Sequence, residues 1–410
     1  MTDDSNNKTV SRDEDKHWLR TSILFFLGWV FMYADRTILS PVQHLIGEEF
    51  ALSNAEIGLI SSLFFAVYAA AQIPSGMMGD KYGRTKIIFG GFLVFGLCTG
   101  LTGVVSTFGM LLLCRAVAGL GEGTYYGCQY AISADSTPLK YRTFAYAIVN
   151  SGQAFGITLG LVGSSYLCYE LGWGWRSAFI IYAIPTIICG ILILLFVKHG
   201  IEPQSKLMNV KSSGKDNLIQ ILKNRTLMSI FFVEFCAVYA FFVMVTWLPQ
   251  YLVESRSMDI SEASNYASAV AWTSIPAALF IGWLSDKLKT RKPLLLTVLP
   301  LSMMSVLGLL FAPSIELVIA SIFCYGIVGK LTSDPLILAL ISDNAPKSMM
   351  STVYGAYNFI AMLGAIFAPY LTGWLKDVSN SFDSGLYLAL ILLVIGWIVG
   401  AFGIKTKRPA

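Results

Sequence analysis

The chain has 410 residues, of which 55% are hydrophobic and only 13% are Asp, Glu, Lys or Arg, and its net charge is +4. A soluble domain carries roughly 25% charged residues, so this composition excludes a soluble protein. The seven cysteines have no metal-ligand or redox spacing and the three histidines are scattered, so we expect neither a metal centre nor an enzyme.

The first element is a polar segment of mixed charge, residues 1–17. It lacks the positive start, apolar core and small-residue cleavage site of a secretory signal, and we expect a disordered cytoplasmic tail. Apolar runs of about 20 residues then recur, each long enough to cross a hydrocarbon core of about 30 Å. Because backbone groups in lipid must hydrogen bond internally, these runs are predicted to be helices.

Twelve transmembrane helices are predicted in this all-α membrane protein. They begin near Trp18, Ser53, Lys86, Phe108, Arg142, Trp175, Leu227, Ser261, Pro293, Glu316, Met349 and Ser384. The longest polar break, 198–226, is interpreted as a cytoplasmic linker between two six-helix halves, 18–197 and 227–404, and a short cytoplasmic tail follows at 405–410.

Charge in the loops predicts the orientation. Most Lys and Arg residues lie in the N-terminal segment, the even-numbered loops and the C-terminal tail, whereas the odd-numbered loops contain only Arg176, Arg256 and Lys376. Cytoplasmic loops carry the excess of positive charge, so both termini are predicted to be cytoplasmic. The short loops and the absence of a targeting signal indicate a bacterial inner membrane.

Two short motifs recur in the two halves at nearly the same separation. GMMGDK (76–81) matches GWLSDK (282–287), and ADSTP (134–138) matches SDNAP (342–346). Two similar halves related by an axis along the membrane normal are typical of major-facilitator transporters. The competing interpretation is coincidence among loop glycines, aspartates and prolines.

The loop after the second predicted span, GMMGDKYGRTK, resembles the signature Gly-x-x-x-Asp-Arg/Lys-x-Gly-Arg-Arg/Lys of the major facilitator superfamily, with Thr85 at a position that is commonly basic. We interpret Asp80, Lys81 and Arg84, with Asp286 of the repeated motif, as a gating latch on the cytoplasmic side. The alternative is that the positive charges only fix the topology.

Four charged residues lie inside predicted spans of the first half. Asp35 and Arg36 are in span one, and Arg115 and Glu122 are in span four, seven residues apart and therefore on one helix face. A charge at the bilayer centre costs at least about 2.5–3.5 kcal/mol, so such residues usually line a cavity and have a function. From the opposite directions of the two spans, we expect these two acids and two bases to meet in one layer.

This layer is neutral when all four groups are ionised and carries one positive charge when one carboxylate takes a proton. The protonated layer would attract an anion, which is a physical basis for proton–anion cotransport. The competing interpretation is a static neutral network that only joins two helices. Close approach of span four to a neighbouring helix is expected at its glycines, Gly119, Gly121 and Gly123.

The second half has its own charged pair. Lys330 and Asp334 in span ten are four residues apart on one helix face. Lys330 is either a second anion contact or is neutralised by Asp334, and both interpretations stay open. Pro335 is expected to loosen the helix. Glu234, about two turns into span seven, is interpreted as structural or as lining a vestibule.

From about residue 18 to 404 the chain resembles the anion:cation symporter family of the major facilitator superfamily, which includes sialin, the vesicular glutamate transporters and bacterial galactonate and hexuronate transporters. The resemblance is carried by Tyr33-x-Asp35-Arg36, Arg115 with Glu122, FFVMVTWLPQYL (241–252), GWRSAF (174–179) and Asn358. It implies the major facilitator fold and a proton-coupled symporter that imports a small organic anion, such as a sugar acid, by alternating access.

The resemblance also implies roles for individual residues. Asp35 and Glu122 would carry protons, and Arg115 would pair with Asp35. Arg36 would bind the substrate carboxylate or control Glu122. Other positions that match the family's central site are Tyr33, Tyr68, Gln153 and Asn358, with Trp247 packed near it. We expect no cofactor apart from the coupling protons, no nucleic-acid partner, and a monomer in the lipid bilayer.

Some features favour other functions or argue against them. Lys330 with Asp334 departs from the sugar-acid members and suits a dianion, a phosphate or a zwitterionic peptide-like solute. An organophosphate antiporter would have a second arginine in span seven, which is absent here. An exporter would lack Arg36 and have a span five rich in glycine and proline, whereas 151–163 has glycines but no proline. A non-transporting sensor would need an output domain, and both tails are short.

Overall fold

The computed structural model describes residues 4–138, 142–197, 221–288, 290–345 and 350–405. These residues form helices and no strand, as expected for backbone that has no water to bond with in a bilayer. Ten helical segments of this described part are long and apolar enough to cross a membrane. The prediction of an all-α membrane protein is therefore confirmed.

The described residues before residue 198 form eight α-helices. They are α1 (Asp4–Thr37), α2 (Leu39–Phe50), α3 (Asn54–Tyr82), α4 (Arg84–Thr102), α5 (Phe108–Glu122), α6 (Tyr125–Ser136), α7 (Arg142–Thr158) and α8 (Trp175–Phe196). Two π-helical turns, Leu159–Gly163 and Tyr166–Glu170, continue α7.

Between residues 225 and 403, the described residues form another eight α-helices. They are α9 (Arg225–Arg256), α10 (Ile260–Trp272), α11 (Ser274–Leu288), α12 (Lys292–Phe311), α13 (Ile315–Val328), α14 (Lys330–Asn344), α15 (Met350–Ser379) and α16 (Asp383–Gly403). Most of the predicted linker, residues 198–220, and the tail after residue 405 lie outside the described residues.

Two predictions about the first half differ from the structure. Residues 4–17, predicted to be a disordered tail, are helical and belong to α1. This segment contains no Gly or Pro to stop a helix, and its acidic start suits the positive end of the helix dipole. Predicted span four is not one helix but α5 and α6, which are interrupted at Gly123 and Thr124, where low helix propensity follows a run of glycines.

The contacts between residues divide the chain into two compact units. The first unit comprises Met1–Ile38 and Ala66–Met208, and the second comprises Leu39–Phe65 and Asn209–Ala410. The division departs from the predicted halves because residues 39–65 pack with the second half of the chain.

Polar contacts in the second unit hold residues 39–65 against its other helices. The Ser40 hydroxyl donates to the carbonyl of Thr246 at 2.7 Å, and the Gln43 amide donates to the Gln250 side chain at 2.8 Å. The Asp377 carboxylate accepts bonds from the backbone N–H groups of residues 54 and 55, at 3.0 and 2.7 Å. These N–H groups begin α3, where orphan donors need an acceptor.

Helix packing in the first unit depends on glycines at two crossings. In α7, a Cβ on Gly156 would lie 2.4 Å from the carbonyl oxygen of Val30 in α1. A Cβ on Gly121 in α5 would lie 2.7 Å from the carbonyl oxygen of Gly91 in α4. Only a residue without a side chain permits these approaches, so the close approach predicted for span four is confirmed at Gly121.

Candidate functional site

Asp35 and Arg36 lie in the last turn of α1, directly before the interruption at Ile38. Pro41 follows in α2, and because proline has no backbone N–H it leaves the carbonyl four residues earlier without its helical donor. The charged pair therefore lies at a break in the helix. The boundary between the two compact units falls at the same place in the chain.

Asp35 and Arg115 form a buried ion pair inside the first unit. Nη1 of Arg115 donates to both carboxylate oxygens of Asp35, at 3.0 and 2.9 Å, and Nη2 donates to the Asp35 carbonyl at 3.3 Å. The Thr99 hydroxyl of α4 donates to the same carboxylate at 2.6 Å. With both side chains only 2% exposed, each charge depends on its partner to offset the loss of water.

Arg36 and Glu122 form the second ion pair of this unit. Nε of Arg36 donates to Oε2 of Glu122 at 2.7 Å, and both side chains are buried. The rings of Tyr33 and Tyr68 lie 4.9 and 4.6 Å from the guanidinium carbon, which is within cation–π distance. The predicted meeting of two acids and two bases is confirmed, and it produces two separate pairs.

The two pairs differ in how completely the carboxylate is satisfied. Both oxygens of Asp35 accept hydrogen bonds. Oε1 of Glu122 is fully buried and has no hydrogen-bond partner among the described residues. Glu122 is also the last residue of α5, where the negative end of the helix dipole disfavours a carboxylate. A proton on Glu122 would relieve both costs, so the geometry favours Glu122 over Asp35 as the group that changes protonation.

The second unit contains another charged group, which we call the C-terminal triad: Glu234, Lys330 and Asp334. Nζ of Lys330 lies 2.7 Å from Oδ2 of Asp334 and 3.9 Å from Oε1 of Glu234. Lys330 begins α14, directly after the break at Gly329. The sequence predicted the contact of Lys330 with Asp334 but not the contact with Glu234. The spacing of residues along a sequence does not show that α9 and α14 bring Glu234 close to Lys330.

The other predicted binding residues lie in different surroundings. The buried Trp247 indole donates to the carbonyl of Pro369 at 3.1 Å, and its ring centroid lies 5.2 Å from that of Phe382. Gln153 in α7 and Asn358 in α15 are half-buried. Thr99 was missed by the sequence interpretation, since a threonine in an apolar helix carries no signal that separates a ligand of Asp35 from a packing residue.

The repeated loop motifs make matching ion pairs in the two units. Arg84 bonds to Asp135 at 2.8 Å in the first unit, and Arg291 pairs with Asp343 in the second. Each acid is the aspartate of the motif repeated at the ends of spans four and ten. Coincidence does not explain repeated motifs that make the same contact, so the internal repeat is confirmed.

The remaining predicted gating residues are only partly visible. The ammonium of Lys81 lies 5.1 Å from the ring centroid of Tyr82. The side chains of Asp80 and Asp286 lie outside the described part of the structure. Whether these residues gate transport stays a prediction.

Comparison with known proteins gives concordant matches. The model of the Major Facilitator Superfamily matches residues 25–369 and 230–410. The hexuronate transporter of Bacillus subtilis (strain 168) is 27% identical over 398 residues, covering 91% of this chain and 92% of that protein. The "Probable galactarate/D-glucarate transporter GarP" of Escherichia coli (strain K12) is 26% identical over 418 residues, covering 91% and 92%.

Several solved structures are similar in fold to this chain. One of them is a bacterial homologue of the human lysosomal transporter Spinster in an inward-facing and occupied conformation. Its TM-score is 0.78 at 18% identity, and the match covers 95% of this chain and 96% of that chain. At this identity the likeness concerns the fold alone.

Proposed function

Because the chain belongs to the Major Facilitator Superfamily and is a transporter, we propose that it is a proton-coupled symporter that imports a small organic anion. The family and the matched relatives are transporters, so the prediction that the chain is not an enzyme is confirmed. The relatives named for hexuronate and for galactarate and D-glucarate support a sugar acid or another carboxylate as substrate.

The observation that carries the proposal is the half-satisfied carboxylate of Glu122 beside Arg36. Oε2 is bound by Arg36 at 2.7 Å, and the buried Oε1 has no hydrogen-bond partner among the described residues. A proton on Glu122 weakens its hold on Arg36, whose planar guanidinium can then bind a carboxylate with two hydrogen bonds. Proton uptake and anion binding therefore favour one another, as linkage requires.

Asp35 and Arg115 have a different part in this proposal. The two side chains fix the end of α1 next to Arg36, and Asp35 is the second candidate proton carrier. In this proposal the protein lies in a bacterial inner membrane with both termini in the cytoplasm. It works as a monomer by alternating access and needs no cofactor apart from the coupling protons. Tyr33 and Tyr68 would orient the guanidinium toward the substrate.

The test is uptake of radiolabelled glucuronate or galactarate into vesicles that contain the purified protein. A pH gradient of one unit supplies about 1.4 kcal/mol per proton, so each coupled proton raises the accumulation about tenfold. Wild type should accumulate substrate when the outside is acidic. Glu122→Gln should still exchange substrate between loaded vesicles but lose this accumulation, while Glu262→Gln, an exposed acid on α10, should behave like wild type.

Two results contradict the proposal. Wild type that exchanges substrate but never accumulates it under a pH gradient would instead be an antiporter or a uniporter. Undiminished accumulation by both Glu122→Gln and Asp35→Asn would show that neither acid couples, and the two ion pairs would then be a static network.

A further inference from the structure

The C-terminal triad has one more acid than it has bases. When ionised, Glu234 and Asp334 carry two negative charges, and Lys330 supplies one positive charge. Tyr357 of α15 also lies within hydrogen-bonding reach of Glu234, and it is neutral. A buried group of this kind therefore has an uncompensated negative charge, which is costly away from water. One further positive charge would remove this cost.

Accessibility limits what that positive charge can be. The side chain of Asp334 is 26% exposed, that of Lys330 is 15% exposed, and that of Glu234 is only 2% exposed. An ammonium or guanidinium group of a solute cannot reach a carboxylate that is so deeply enclosed. A proton can, since it needs no space and can pass from the accessible acid.

Unsatisfied atoms support the same conclusion. Oε2 of Glu234 and Oδ1 of Asp334 are buried and have no hydrogen-bond partner among the described residues. The hydroxyl of Tyr325, a residue that is 1% exposed, also lacks such a partner. Tyr325 lies close enough to Lys330 for an electrostatic interaction. Buried polar atoms without partners cost free energy, and a carboxyl group that takes up a proton removes the largest of these costs.

Among the described residues, the other helices packed against α9 do not supply the missing charge. Their one Lys or Arg besides Lys330 is Lys376 of α15, which pairs with Glu254 at 2.8 Å. The charged or titratable groups that act on Glu234 come from α14 and α15. Helices α2, α10 and α16 also pack against α9, and their charged residues are His44, Glu48, Glu49, Glu262 and Asp383. None of these is a lysine or an arginine, and the exposed His44 pairs with Glu48 at 3.1 Å.

We propose that Glu234 is a proton-binding residue of the second unit and that Lys330 exchanges between Asp334 and Glu234 as this proton leaves and returns. With Glu234 protonated, Lys330 pairs with Asp334, as in the structure. When Glu234 loses its proton, the ammonium, which stays charged, moves from Asp334 toward the newly ionised carboxylate 3.9 Å away. The step transfers one proton and breaks no covalent bond.

The use of this site in transport rests on the proposed function. The site adds a coupling proton that is separate from the proton on Glu122. It also changes the interpretation of Lys330. Its ammonium already serves two acids, so a substrate anion that took it would leave a second buried carboxylate uncompensated. The triad therefore favours proton binding over anion binding.

Infrared spectroscopy tests the proton without any transport. The purified protein is titrated in detergent, and the carbonyl-stretch band of protonated carboxyl groups is followed. Part of the band that titrates in wild type should be lost in Glu234→Gln, an isosteric change, and kept in the exposed control Glu262→Gln. Lys330→Met provides a second variant. Without the ammonium, the band should persist to higher pH, because both acids then lack a compensating charge.

Transport provides the second measurement. At a pH gradient of one unit, Glu234→Gln should still exchange substrate but accumulate it about tenfold less than wild type, since one coupled proton is lost. An unchanged infrared band in Glu234→Gln, an unchanged titration in Lys330→Met, or undiminished accumulation by Glu234→Gln would each overturn the inference while leaving proton-coupled symport intact. If wild type itself does not accumulate substrate, the proposed function fails and the infrared result alone decides whether Glu234 binds a proton.

Discussion

Replacing Arg115 by glutamine should be far more costly than removing an arginine from a similar pair at the surface. The Asp35–Arg115 pair has both side chains 2% exposed, whereas in the Arg84–Asp135 pair they are 23% and 42% exposed. Leaving one buried charge without its partner costs about 3–5 kcal/mol. Breaking an exposed pair costs about 0–1 kcal/mol.

The assay is denaturant unfolding of the purified protein in detergent, which yields the free energy of unfolding. We expect Arg115→Gln to lower it by about 3–5 kcal/mol and the control Arg84→Gln to lower it by less than about 1 kcal/mol. The double variant Asp35→Asn/Arg115→Gln should lose less than the sum of its single changes, because it leaves no charge buried.

Acid should partly rescue Arg115→Gln. Without the guanidinium, the buried Asp35 carboxylate binds a proton more readily in the folded than in the unfolded protein. Stability of the variant relative to wild type should therefore rise as the pH falls and the carboxylate becomes neutral. The reasoning is refuted if Arg115→Gln costs no more than Arg84→Gln, or if its deficit does not shrink in acid.

Three further outcomes are expected. Arg36→Lys keeps the charge but loses the planar fork, so binding of glucuronate, measured by thermal shift, should weaken by about 1.5–3 kcal/mol; unchanged binding would make the arginine structural. Cysteines at Gln43 and Gln250, whose side chains bond at 2.8 Å, should be joined by a short crosslinker, because both residues lie in the second compact unit; absence of the crosslink would contradict the packing of residues 39–65 against α9. Gly121→Val should reduce the yield of folded protein, because its Cβ would lie 2.7 Å from the Gly91 carbonyl oxygen. A normal yield would show that α4 and α5 can move apart at this crossing.

The sequence predicted the charged layer of the first unit because the physics leaves few choices. An unpaired charge is costly in a bilayer, and two acids with two bases can form two ion pairs. We therefore expect contacts among Asp35, Arg36, Arg115 and Glu122. Only the family resemblance indicated which acid pairs with which base. Composition alone does not show whether Asp35 pairs with Arg115 or with Arg36.

The C-terminal triad shows where this reasoning stops. Lys330 and Asp334 share a helix face, so their contact follows from spacing within one helix. Glu234 lies on another helix, and the rotation of α9 against α14 depends on packing along both helices. The same limit hid Thr99, whose contact with Asp35 depends on the position of α4. The start of α1 at Asp4 also departs from the prediction, because a polar segment of mixed charge without Gly or Pro can form a helix.

The long separation of partners in the first unit has a consequence for biosynthesis. Asp35 enters the membrane with α1, but Arg115 follows 80 residues later and Glu122 follows Arg36 by 86 residues. At a synthesis rate of about 5–20 residues per second, α1 waits about 4–17 s for these partners. During that time two charges have no partner from α5, at a cost of about 2.5–3.5 kcal/mol each. Nascent chains arrested before Arg115 should therefore hold α1 at the insertion machinery or the membrane surface, and chains arrested well beyond Glu122 should release it into lipid.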